Sequence, residues 1–140
     1  MKNLARAGVI LTLILMLLIV AIGCKSSVAL ATPEETVTSY LDATEDLDVG
    51  RMMDCVGVNV SAEERRQAEE AFKMMKDMGM SISITNRSIN VVSQTEDSAT
   101  VFVSAETRAT FGGETETESM NETFTLVKRD GKWLLEMLPD

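Results

Sequence analysis

Met75-Lys76-Asp77-Met78-Gly79-Met80-Ser81-Ile82-Ser83-Ile84-Thr85-Asn86-Arg87-Ser88-Ile89-Asn90-Val91 changes its hydrophobic period partway along. Up to Met78 the apolar residues Ala68, Ala71, Phe72, Met75 and Met78 fall at i, i+3, i+4, i+7 and i+10, one face of a helix. Gly79 stands where a helix C′ glycine belongs. From Met80 the period is two. Ile82 and Ile84 share one face, whereas Ile89 and Val91 have the opposite parity, so a bulge or bend is expected between Thr85 and Ser88. Helices before this junction and strands after it predict an α+β fold.

Upstream, Ser61-Ala62-Glu63-Glu64 is a capping box that opens this helix. A short helix is expected over Val49 to Val56. An earlier helix starts at Thr32-Pro33-Glu34-Glu35, with Thr as N-cap, Pro at the first helical position and Glu three residues after the cap. It ends among Asp46, Asp48 and Gly50. Downstream, Ala99, Val101, Val103 and Ala105 alternate as a strand after a turn at Glu96-Asp97. Gly112-Gly113 marks the next turn, Phe124 and Leu126 belong to a third strand, and Asp130-Gly131 is a tight hairpin pair. Trp133, Leu135 and Met137 make the last strand and Pro139 closes it. The expectation is about three helices on a curved antiparallel sheet of about four strands.

The first 24 residues are of a different material. Lys2 and Arg6 precede an uncharged run from Ala7 to Cys24, the pattern of a secretory signal. Residues 1–23 are expected to be a signal peptide or membrane-anchor helix, 24–31 a lipid-attachment cysteine and tether, and 32–140 the domain. Ala21-Ile22-Gly23-Cys24 resembles the lipobox of prokaryotic lipoproteins, in which the cysteine thiol receives a diacylglyceryl group and the leader is removed. The alternatives are an uncleaved single-pass helix, since the uncharged run spans roughly 27 Å against a bilayer core of about 30 Å, and full secretion. Both anchored forms place the domain on the extracytoplasmic side of a prokaryotic cell membrane.

The whole chain of 140 residues carries a net charge of −9, and without Lys2 and Arg6 the remainder carries −11. That balance argues against nucleic acid, whose binding needs clustered Lys and Arg. It also disfavours anionic headgroups, so lipid rather than charge must hold the domain at a membrane. There is no histidine, which excludes His-dependent triads and His-ligated metal sites. No cofactor or metal is implied, and Asp46-Leu47-Asp48 lacks the glycine and terminal Glu of a calcium loop. With Cys24 lipidated, Cys55 has no intrachain partner; a buried structural thiol is expected, with an intermolecular bridge or reactive thiol as the alternative.

The opening Thr32-Pro33-Glu34-Glu35-Thr36-Val37 with Tyr40-Leu41-Asp42-Ala43, and the closing Leu126-Val127-Lys128-Arg129-Asp130-Gly131-Lys132-Trp133, resemble the nuclear transport factor 2-like, cone-shaped α+β superfamily. Within it they look most like small prokaryotic lipoproteins whose domain has no assigned function. The resemblance covers about Thr32 to Leu138. It implies a conical cavity between helices and sheet, and catalytic members, such as steroid isomerases and dehydratases, use carboxylates, a Tyr or His there. Tyr40 and Trp133 are then the candidate cavity-facing residues, and no catalytic constellation accompanies them. A lone Tyr beside Leu41 on an amphipathic face more often packs its ring and keeps its hydroxyl at the rim.

Three further features are candidates. Eight methionines follow the leader, and Met75 and Met78 with Phe72 suit core packing, a soft-metal or peptide-binding surface being the other reading. Asn59, Asn86 and Asn121 head N-x-Ser/Thr sequons, relevant where the host glycosylates exported proteins. Glu114-Thr115-Glu116-Thr117-Glu118 reads as an edge strand guarded by charge or as an interaction surface. The expected function is a lipid-anchored extracytoplasmic domain that binds a small ligand or partner protein. The alternatives are a cavity-based enzyme or apolar-ligand carrier using Tyr40, and a structural envelope module.

Overall fold

The structure, a computed structural model, describes residues 30–136. The leader, Cys24, Met137 and Pro139 lie outside the described residues. Helix α1 is Pro33–Glu45, capped as the sequence predicts: Thr32 Oγ1 accepts from Glu35 N–H at 3.2 Å and the Glu35 carboxylate accepts from Thr32 N–H at 3.1 Å. It closes in a Schellman motif, Leu47 N–H on the Thr44 carbonyl and Asp48 N–H on that of Ala43. Leu47 occupies the left-handed position at φ 52°, where glycine is usual, and its side chain is buried.

Helix α2, Val49–Asp54, is shorter than the expected Val49 to Val56. The reason is a sheet contact. Val56 bridges Leu135 in parallel, Gly57 N–H donates to the Leu135 carbonyl and Leu135 N–H to that of Cys55, so the chain turns extended after Cys55. Helix α3, Ala62–Asp77, has the expected capping box at Ser61, and Gly79 lies at φ 85° past its end.

The sheet contains β1 (Ser81–Gln94), β2 (Ser98–Phe111), β3 (Glu114–Arg129) and β4 (Lys132–Leu135), antiparallel in the order β1-β2-β3-β4. Gly112-Gly113 and Asp130-Gly131 make two-residue turns with positive φ at both positions, as primed hairpins require. The parity change in β1 is a bulge. Thr85 pairs with Glu106 and Ser88 with Ser104, so Asn86 and Arg87 together face one residue. A second register shift lies between Val91 and Ser93 and leaves Val92 exposed.

The core joins Val37 and Leu41 of α1, Cys55, and the inward residues Ile84, Ala99, Val101, Val103, Ala105, Phe124, Leu126, Trp133 and Leu135. Thr36, fully buried, donates its hydroxyl to the Trp133 carbonyl at 2.9 Å and ties α1 to β4. The packing expected for the α3 stripe is not found. Ala68, Phe72 and Met75 are half-buried, Ala71 and Met78 are exposed, and α3 buries no residue. Position accounts for this, because α1 already covers the sheet. The side-chain bonds that α3 sends outward are polar: Arg65 pairs with Asp54 at 2.6 Å, and Lys76 Nζ donates to the Asp46 carbonyl at 3.2 Å.

Candidate functional site

Tyr40 projects from α1 and stacks edge-on against Phe124, ring centroids 6.1 Å apart. Burial raises its pKa and the neighbouring Cys55 adds to the rise, so the phenol is a proton donor and not a base at neutral pH. Cys55 is fully buried. Burial first, and the Asp54 charge second, push its thiol up to about 11, against a smaller opposing effect of Arg51. A protonated, enclosed thiol is inert, in keeping with a structural cysteine.

Trp133 is buried on β4, with the Lys128 ammonium 5.6 Å from its ring centroid. It borders an open hollow of about 500 Å³ shared with Thr32, Pro33, Glu34, Glu96 and Lys128. Tyr40 does not line that hollow. The two aromatic candidates therefore pack on one core without facing one shared space.

The polar cluster that joins α1 to the sheet was invisible in the sequence. Arg87, turned inward by the bulge, places Nη1 2.5 Å from Asp42 Oδ1, pairs its other terminal nitrogen with Glu45 and donates Nε–H to the Ile84 carbonyl. Glu45 also accepts from Ile84 N–H at 2.5 Å. Asp42 and Glu45 lie at i and i+3 on α1, so one guanidinium clamps the helix to the irregular point of the sheet. The spacing of the carboxylates was readable. The inward aim of Arg87 depends on which residue the bulge inserts. The other candidate acids are also engaged: Asp46 pairs with Arg51 at 2.7 Å, Asp48 caps α2 and Asp54 holds Arg65.

Beyond the clamp the helix-facing side of the sheet opens. Thr107 and Ala109 continue the inward parity of Val101 and Val103 but are half-buried, and Phe111 is 52% exposed. Across the ladder from them stand Glu118, Glu116 and Glu114, all exposed. The three sequon asparagines are exposed, Asn59 before α3, Asn86 in the bulge at φ 54° and Asn121 on β3. The hydroxyl of Ser61, third residue of the first sequon, is engaged with Glu64 as the α3 cap.

No protein-family model matches the chain, and no curated protein matches it in sequence. Solved structures do match in fold. A ketosteroid isomerase-like protein from Erwinia carotovora atroseptica is 21% identical with a TM-score of 0.51, over 76% of this chain and 89% of that one. The intermembrane space region of chloroplast protein ARC6 has a TM-score of 0.55 at 9% identity, over 79% and 95%. A proposed aromatic ring hydroxylase from Novosphingobium aromaticivorans has a TM-score of 0.53 at 15% identity, over 72% and 79%. These likenesses show the architecture alone, three helices with a four-stranded antiparallel sheet. A shared architecture hosts unrelated activities.

Proposed function

We propose that this chain is a non-catalytic binding module, tethered by lipid at Cys24 on the extracytoplasmic side of a prokaryotic membrane. The observation that carries the binding role is the open half of the sheet, where the face that forms the core elsewhere is left accessible around Phe111. Exposed apolar surface beside polar residues marks interaction sites. The acids that a reaction would need are otherwise occupied. Asp42 and Glu45 are both paired with Arg87, and the Tyr40 ring packs on Phe124.

A photo-crosslinking residue at Phe111, in cells, captures the partner, while the same residue at Val92, on the second register shift of β1, does not. Equal capture at both positions refutes the reading. Mass spectrometry of the mature N-terminus tests the tether: a diacylglyceryl-modified Cys24 is expected, and an intact Met1 overturns it in favour of an uncleaved helix. The described residues contain no helix long and apolar enough to cross a membrane.

The second reading, a small-molecule enzyme or carrier using Tyr40, is favoured by the place of that phenol, half-buried against the core and edge-on to Phe124. It predicts that Tyr40→Phe abolishes stabilisation by an apolar ligand while leaving the crosslink at Phe111 intact.

A further inference from the structure

This inference rests on the binding-module reading and specifies the partner. Four features meet at the Gly112-Gly113 end of the sheet. On the helix-facing side, Met80, Ile82 and Ala109 are half-buried and Phe111 is exposed. On the same side of β3, Glu114, Glu116 and Glu118 stand opposite Phe111, Ala109 and Thr107. No described basic side chain pairs with these glutamates; Arg108, the nearest basic residue in β2, has the parity of the other face. A hollow of about 250 Å³ lies among Met80, Ala109, Phe111, Glu114 and Glu116.

The fourth feature is an edge. β4 pairs with β3 only from Leu126 to Arg129, and Glu136 N–H adds one bond to the Thr125 carbonyl. Before Thr125, among the described residues, β3 has a partner on its β2 side alone. Its outward backbone groups are a template for another strand.

We propose that a basic extended segment of another protein adds to this free edge of β3. Inward-facing Lys or Arg side chains of the added strand lie directly across from Glu114, Glu116 and Glu118. Their methylene stems run over the sheet toward Ala109 and Phe111 while the charged ends meet the carboxylates. Outward-facing β-branched residues meet Thr115 and Thr117 on the opposite face. The charge selects against a second copy of the chain, since pairing two such edges sets the glutamate rows against each other.

The test uses the full chain in neutral detergent and two synthetic peptides, Lys-Val-Lys-Thr-Lys-Val-Lys and Glu-Val-Glu-Thr-Glu-Val-Glu, with blocked ends. The lysine peptide binds at least about tenfold more tightly, as expected for three cross-strand charge pairs of ordinary strength, and protects β3 amides between 114 and 124 from hydrogen exchange. E114Q/E116Q/E118Q loses the discrimination, and E114K/E116K/E118K reverses it. The glutamates are exposed, so both variants keep the fold; cooperative unfolding checks this. Binding of neither peptide, equal binding of both, or protection confined to α3 overturns the proposal. A partner captured at Phe111 under any of those outcomes leaves the binding-module reading standing. Lysine-peptide binding with no capture at Phe111 supports the edge site and keeps the binding role, moving it from the face around Phe111 to the edge of β3.

Discussion

Val101 and Ala109 lie on the same face of the same strand, yet Val101 is fully buried and Ala109 is half-buried. The strands β1, β2 and β3 run 14, 14 and 16 residues, longer than α1 and β4 can cover. Near the Glu96-Asp97 turn the inward face is sealed by Val37, Leu41, Trp133 and Leu135. Near Gly112-Gly113 the same face carries threonine, alanine, phenylalanine and a row of glutamates. The Arg87 clamp marks the border. One half is therefore committed to stability and the other is free to evolve for recognition.

Mutations should separate the halves by size of effect. Leu126→Ala, in the sealed half, is expected to cost about 3 kcal/mol in urea unfolding, the usual penalty for emptying a fully buried leucine site. Ile82→Ala, in the open half, should cost less than about 1 kcal/mol by the same measurement. Equal losses would erase the distinction. Arg87→Met is expected to cost about 2 kcal/mol, because it leaves Asp42 and Glu45 together beside the sheet without their cation.

Alkaline titration of Cys55 probes the sealed half. The Cys55 pKa of about 11 in the folded chain lies above its ordinary value of 9.0, so the unfolded chain loses the proton first. The stability that this thiol contributes is complete below pH 9 and is lost as pH rises toward 11, about 1 kcal/mol of it by pH 10. Chemical denaturation at pH 8 and pH 10 should show that decline, and Cys55→Ala should remove the Cys55 share of it. Smallest of all, Phe111→Ser should change stability by less than about 0.5 kcal/mol while weakening binding of the lysine peptide.

The features readable in the sequence were those set by neighbours in the chain. The two capping boxes, the Gly-Gly and Asp-Gly turns, the alternation from Ala99 to Ala105 and the parity change in β1 each depend on a few adjacent residues. Alternation also placed Glu114, Glu116 and Glu118 on one face, but not that this face would be the inward one. The α3 stripe shows the limit. A helical period says which face is apolar, not whether a partner surface remains to receive it, and α1 had taken the sheet. Arg87 was missed for a related reason, since a bulge shifts parity by one residue and that shift decides whether a charge points to solvent or to Asp42 and Glu45. The short α2 likewise reflects a distant bond, the docking of Gly57 on Leu135.

The bond from Trp133 N–H to the Leu30 carbonyl has a mechanical consequence. Leu30 is the first described residue, and tension applied to the chain there reaches this bond directly. The load passes into β4 and, through Thr36, into the first turns of α1; β4 in turn is braced by β3 on one edge and by Val56 and Gly57 on the other. That load path stays at the Trp133 end. The Gly112-Gly113 turn lies roughly 45 Å away along β2, at about 3.3 Å per residue. Force applied at Leu30 would thus be absorbed at one pole of the domain while the edge of β3 at the other pole keeps its shape.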